Sequence, residues 1–293
     1  MKANHPLLLT YEMPINKLQT NEGCKLGHSI FLFLKYYIQM NNKIAAMVLV
    51  AFISVGCDRE KNIEFSSESF TEKELSICKD SKCPEVTINY VEVFGDAEIS
   101  EKINQKIKNF IFKSLQMGED TIPTAKTIQE AATGFIESYN VDKAQFPDMA
   151  GEYFAEISVN EIYTSKKHLC FEMGQYLYTG GAHGYGTTSF LNIDPNTGEE
   201  LTAKELFKNY KEFTAFAEKK FRAQQKIPTG QDINELGFWF EGDEFHLPES
   251  VGFTQDSLIF VYNQYDIASY ADGAIEIKIA MKEAEPFLSI DKF

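Results

Sequence analysis

Residues 178–186 read Tyr-Thr-Gly-Gly-Ala-His-Gly-Tyr-Gly, with four glycines, two tyrosines and a histidine in nine positions. A histidine there could serve as a general base, a metal ligand or a polar ring facing a ligand. As a base, His183 needs an orienting acid and a nucleophile or metal within reach. His168, His183 and His246 each stand alone after residue 57, and no G-x-S-x-G, H-E-x-x-H or Cys–His pattern accompanies them. No residue is therefore assigned a catalytic role, and the residues by themselves specify no reaction. A second loop, 263–273, carries Tyr265 and Tyr270. Tyrosine offers an apolar face with a polar tip, which suits a sugar or a protein surface. The candidate ligand-binding residues are Gly180, Gly181, His183, Tyr185, Tyr265 and Tyr270. Three readings compete with a binding site. The glycines could make a tight strand connection with the tyrosines in the core, His183 could be the base of a hydrolase, or the protein could be a passive structural component.

Strands must position the first loop. Leu169, Phe171, Met173 and Leu177 precede it on one face, and residues 187–193 follow it. Residues 151–164 and 168–178 alternate around Ser165, Lys166 and Lys167, the pattern of a hairpin. Residues 84–94 predict a further strand. Ile99, Ile103, Ile107, Phe110, Ile111 and Leu115 predict an amphipathic helix, and Thr127 with Glu130 opens a second one. Thr202 with Glu205 and Asn209 with Glu212 mark two more helix starts. Short strands are predicted at 251–254, 257–262 and 274–280. Elements fall in groups rather than in strict βαβ alternation. The expected class is α+β, mainly antiparallel β-sheet with packed amphipathic helices.

The segment before residue 57 reads as addressing. Residues 40–43 are a short basic start, 44–55 an apolar run too short for a comfortable span, and Gly56-Cys57 closes it like a bacterial lipobox. Residues 1–39 then precede the true start at Met40, 40–56 form a lipoprotein signal peptide, and Cys57 takes the lipid. The polar, serine-rich stretch 57–74 reads as a tether. The expected location is exported, lipid-anchored to a bacterial membrane and facing the periplasm or the exterior. Export permits a small Cys78–Cys83 disulfide. A zinc site is the alternative for that pair, but two further ligands are not evident nearby. Cys170, inside a strand, reads as a buried thiol. The turn at 194–198 lacks the glycine and acid positions of an EF-hand loop. Neither metal nor cofactor is assigned. Residues 1–56 hold five lysines and two glutamates, so the remainder has 23 basic and 41 acidic residues, a net charge of −18. That balance argues against a nucleic-acid partner, which needs a basic face.

Three stretches resemble known domains. Cys78, Cys83-Pro84 and Ile103-Asn104 with Ile107 look like the start of an uncharacterised domain. Tyr178-Thr179-Gly180-Gly181-Ala182-His183-Gly184, then Asn192, Asp194, Gly198 and Glu205-Leu206-Phe207, look like its end. Asn263, Tyr265, Ile267-Ala268, Tyr270 and Gly273 resemble the signature of a second domain. The pair is similar to the non-catalytic extracellular region of the peptidoglycan deacetylase PdaC and of the lysozyme-sensing anti-sigma-V factor RsiV, over roughly residues 75–290. The resemblance implies a PdaC-like domain at 75–198 and an RsiV-like domain at 199–293. The catalytic metal-binding Asp and paired histidines of the deacetylase have no counterpart, and no sigma-binding segment is present. What the resemblance implies is an envelope module for a wall-associated ligand, peptidoglycan or a lysozyme-like protein.

Overall fold

In the helix over residues 97–115, isoleucines at 99, 103, 107 and 111 and Leu115 recur every fourth residue, and all five are buried. They form one face of α1 (Ala97–Leu115), whose first turn is capped by the Asp96 carboxylate accepting the Glu98 and Ile99 amides. Helix α2 (Ile128–Gln145) starts at Thr127, whose hydroxyl accepts the Glu130 amide. The structure is a computed structural model that describes residues 63–118, 122–148 and 151–289. The expected leader over 40–56, the expected lipid site at Cys57 and the expected 1–39 extension lie outside these residues.

Both helices pack on one face of a five-stranded sheet. Its order is β1 (Glu64–Thr71), β2 (Glu85–Phe94), β3 (Phe154–Thr164), β4 (Leu169–Tyr178) and β5 (Tyr185–Ile193). The inner face is Val86, Ile88, Ala155, Ile157, Val159, Leu169, Phe171, Leu191 and Ile193, all buried against the helices. The class is α+β. The sheet is mixed, because the chain passes through α1 and α2 between β2 and β3, and those two strands therefore run parallel. Residues 64–71, expected as tether, are strand β1, paired antiparallel with β2. Its only large apolar residues, Phe65 and Phe70, stand five apart and break the two-residue period. Phe70 is buried and Phe65 packs edge-on against Phe171.

The rest of the described chain builds a second core. Helices α3 (Ala203–Leu206) and α4 (Tyr210–Gln225) precede a three-stranded antiparallel sheet of β6 (Gly252–Phe253), β7 (Ser257–Tyr262) and β8 (Ile275–Ala280), followed by α5 (Met281–Ala284). Phe213, Ala217 and Phe221 of α4 are buried with Phe253, Phe260, Tyr262, Ile277 and Ile279. Cys170 and Phe190, on the outer face of the first sheet, belong to this second core. One end of the outer face is thus covered, and the end nearer Tyr176 stays open. Cys78 and Cys83 are joined by a disulfide. Cys170 is a buried thiol that accepts the Phe253 amide at 3.3 Å, and burial pushes it up to about 12.

At the covered end sits His168, fully buried and edge-on to the Phe253 ring. Its Nε2 lies 2.8 Å from Asn192 Oδ1, and Asn192 Nδ2 donates to the Val251 carbonyl at 2.8 Å. A carbonyl oxygen can only accept, so Nε2 carries the proton of a neutral ring. Burial lowers the His168 pKa from 6.5 to about 4. Between those values the unfolded chain binds a proton that the folded chain does not. Stability from this residue is therefore full above pH 6.5 and falls by roughly 3 kcal/mol on acidification to about pH 4. Denaturant midpoints measured against pH should show this extra loss in the native protein and not in His168→Gln. Parallel pH profiles for the two proteins would contradict it.

Candidate functional site

The β4–β5 and β7–β8 connections, some 80 residues apart in sequence, meet at the open end of the sheet. The contact is set by the free edge of β5. Strand β5 pairs with β4 on one side only, so the backbone groups of alternate residues need partners elsewhere. Asn263 supplies them at Thr188, its Oδ1 accepting the amide at 2.7 Å and its Nδ2 donating to the carbonyl at 3.2 Å. Ser250 Oγ accepts the Phe190 amide at 3.1 Å. Both contacts fasten the C-terminal half to the edge of β5.

Four rings converge at that junction. His183 stacks on Tyr270 with centroids 3.6 Å apart, and Tyr265 lies 5.8 Å from Tyr270 and 6.5 Å from Tyr185. The Gly184 carbonyl is the common anchor. It accepts His183 Nδ1–H at 3.0 Å and the Tyr270 hydroxyl at 3.0 Å. With its proton on Nδ1, the ring turns Nε2 toward the Tyr265 hydroxyl, 3.4 Å away. Tyr185 donates to the Gln264 carbonyl at 3.3 Å, and burial, aided by the nearby Asp266 carboxylate, raises its pKa. Tyr265 and Tyr185 remain 51% and 39% exposed, which leaves their ring faces open to solvent.

Two backbone features hold this arrangement. Asp266 donates its amide to the Asn263 carbonyl at 3.1 Å, and its carboxylate accepts the Asn263 amide at 2.7 Å. That closes a turn whose third residue, Tyr265, has φ +71°. The position ordinarily takes glycine or asparagine, and a tyrosine there is strained by on the order of 1 kcal/mol or more. At Gly184 the constraint is space, since an added Cβ would lie 2.4 Å from the Tyr176 ring. Among the six residues expected from sequence, His183, Tyr185, Tyr265 and Tyr270 come together. Gly180 and Gly181 flank them. The structure adds Tyr176, Gly184, Asn263 and Gln264, which residue type alone does not mark as site residues. The signal for them was weak, because a lone exposed tyrosine in a strand and an asparagine after one are common.

Two family models match the chain. A family model described as Deacetylase PdaC matches residues 77–185, and one described as Protein of unknown function (DUF3298) matches residues 200–282. The two matches lie in tandem along the chain. A solved member of the DUF3298 family from Bacteroides fragilis superposes with a TM-score of 0.61 at 24% identity, covering 79% of this chain and 96% of that one. A DUF3298 family protein from Pseudomonas aeruginosa gives 0.53 at 19%, covering 81% and 99%. At these identities the likeness is one of fold. No curated protein matches. Among the described residues no helix is long and apolar enough to cross a membrane, and no cluster of three or more His, Cys, Asp or Glu is placed to hold a metal ion.

The glycine requirement falls on one residue of the pair. Gly180 has φ +89°, whereas Gly181 lies outside the left-handed region and an added Cβ there meets nothing closer than a carbonyl at 3.8 Å. Gly180→Val should therefore cost on the order of 1–3 kcal/mol, and Gly181→Val about 0.5 kcal/mol or less. Thermal denaturation of the two variants checks this, and equal losses would contradict it.

Proposed function

We propose that the protein is a lipid-anchored binding module of the bacterial cell envelope, and that its PdaC-like and DUF3298 halves together present one surface to a wall-associated ligand. That ligand is peptidoglycan or a lysozyme-like protein. The observation that carries the reading is Tyr265. The backbone holds this half-exposed aromatic ring in a strained conformation beside His183, Tyr185 and Tyr270. Strain maintained at an exposed ring points toward a contact made by that ring. The polar tips and apolar faces of the cluster suit a sugar or a protein surface.

The geometry of His183 favours binding over hydrolysis. A general base in a nucleophilic mechanism is oriented by an acid and faces a nucleophile. Here the orienting group is the Gly184 carbonyl and the group at Nε2 is a phenol. Both fix the ring as part of a surface. The order Lys43, apolar run, Gly56-Cys57 supports an anchor at Cys57.

Sedimentation with purified cell-wall sacculi, and capture on immobilised lysozyme, test the reading together with cell fractionation. The native protein should bind one of the two and fractionate with membranes, and Cys57→Ser should bind equally but leave the membrane fraction. His183→Ala should weaken binding about tenfold, the scale of an aromatic anchor. Tyr265→Gly should weaken it comparably while stability stays within about 1 kcal/mol, because the lost ring contacts are offset by relief of the backbone. Binding to neither ligand, or full binding by both ring variants, would overturn the proposal.

A further inference from the structure

Beside the aromatic cluster, the open end of the outer sheet face holds a cleft of about 340 Å³. Its floor is a grid of cross-strand neighbours. Ser158, Gly174 and Thr188 form one row, and Glu156, Tyr176 and Gly186 the next. Strand spacing and rise make this floor roughly 7 by 10 Å, the footprint of one six-membered sugar ring with its substituents. Tyr176, 42% exposed, is one wall, and Gln264 from the other half of the chain is the opposite wall. The two glycines keep the floor low.

The lining selects the ligand. Its polar groups are mostly hydroxyls and amides, and Glu156 is its one ionisable group besides the Tyr176 phenol. No lysine or arginine lines it, so an anion would meet the Glu156 carboxylate without a counter-charge. An apolar ligand would strip water from Glu156, Ser158 and Thr188 and return no hydrogen bonds. A ring with hydroxyls around its edge and C–H groups on its face satisfies both the floor and the Tyr176 wall. The cleft adjoins the aromatic cluster through Gln264, which lines it, accepts the Tyr185 hydroxyl on its carbonyl at 3.3 Å and donates its side-chain amide to the Tyr270 carbonyl at 3.4 Å. We infer that this cleft is a subsite for a neutral pyranose, and that Tyr185 and Tyr265 hold the adjoining residue of the same glycan chain. The inference rests on the binding-module reading and names the chemistry of its ligand.

Calorimetric titration of the full chain with chitotetraose and cellotetraose, both neutral, and with tetragalacturonate, an anion, tests it. At least one neutral oligosaccharide should bind saturably and tetragalacturonate should not. Glu156→Ala should weaken neutral binding about tenfold at unchanged melting temperature, and Gln264→Ala, which also gives up its 3.4 Å hydrogen bond to the Tyr270 carbonyl, should do so with the melting temperature lowered by no more than a few degrees, the scale of one lost hydrogen bond to a charged or partly desolvated group. Failure of both neutral probes, preference for the anion, or neutral binding indifferent to both substitutions would overturn the subsite. If the protein still sediments with sacculi or binds lysozyme in a His183-dependent way, the binding-module reading survives that failure. If it binds neither, both fall.

Discussion

Two asparagine side chains complete this sheet where strands are missing. A buried backbone amide or carbonyl left without a partner costs on the order of 1–3 kcal/mol, so a strand that outruns its neighbour must be paired by something else. Strand β2 pairs with β3 only as far as Asn89, and beyond that point Asn104 of α1 takes both backbone groups of Val93, at 2.8 and 2.9 Å. Asn263 does the same at Thr188 on the free edge of β5. The first contact seats α1 on the sheet. The second fastens the C-terminal half to the N-terminal half, and the site exists because of it.

Once Asn263 is fixed on Thr188, little freedom remains for the residues that follow. Gln264 receives the Tyr185 hydroxyl on its carbonyl, Tyr265 is turned into a left-handed conformation, and Tyr270 reaches the Gly184 carbonyl. The same carbonyl orients His183. The proposed ligand surface is therefore held by main-chain atoms on both sides, and its rings would need little further ordering on binding, which is where preorganised sites gain affinity.

Much of this was legible in the residues. The hairpin over 151–178, the isoleucine face of α1 and the caps at Thr127, Thr202 and Asn209 follow from period and capping chemistry, and the structure places them there. Strand β1 was not legible, because an edge strand rich in serine with phenylalanines five apart resembles a tether. The need for glycine at 180 and its absence at 181 could not be separated, since both readings rest on φ. The two aromatic loops could be named as candidates from their residue types. Their contact could not, because a separation of about 80 residues carries no spatial information until the edge of β5 is known. The cleft was invisible for a related reason. Glu156, Gly174 and Thr188 become neighbours only through strand register.

Amide hydrogen exchange in Asn263→Ala, read at Thr188 and combined with ligand binding, tests the role of the Asn263 contact most directly. In the native protein the Thr188 amide should be among the slowly exchanging groups of β5. In the variant its protection should fall selectively, with the β2–β4 amides unchanged, and binding to sacculi or lysozyme should fall with it although every ring of the cluster is intact. Loss of Thr188 protection with binding unimpaired would show that the ligand surface does not depend on this junction, and the central claim would be wrong.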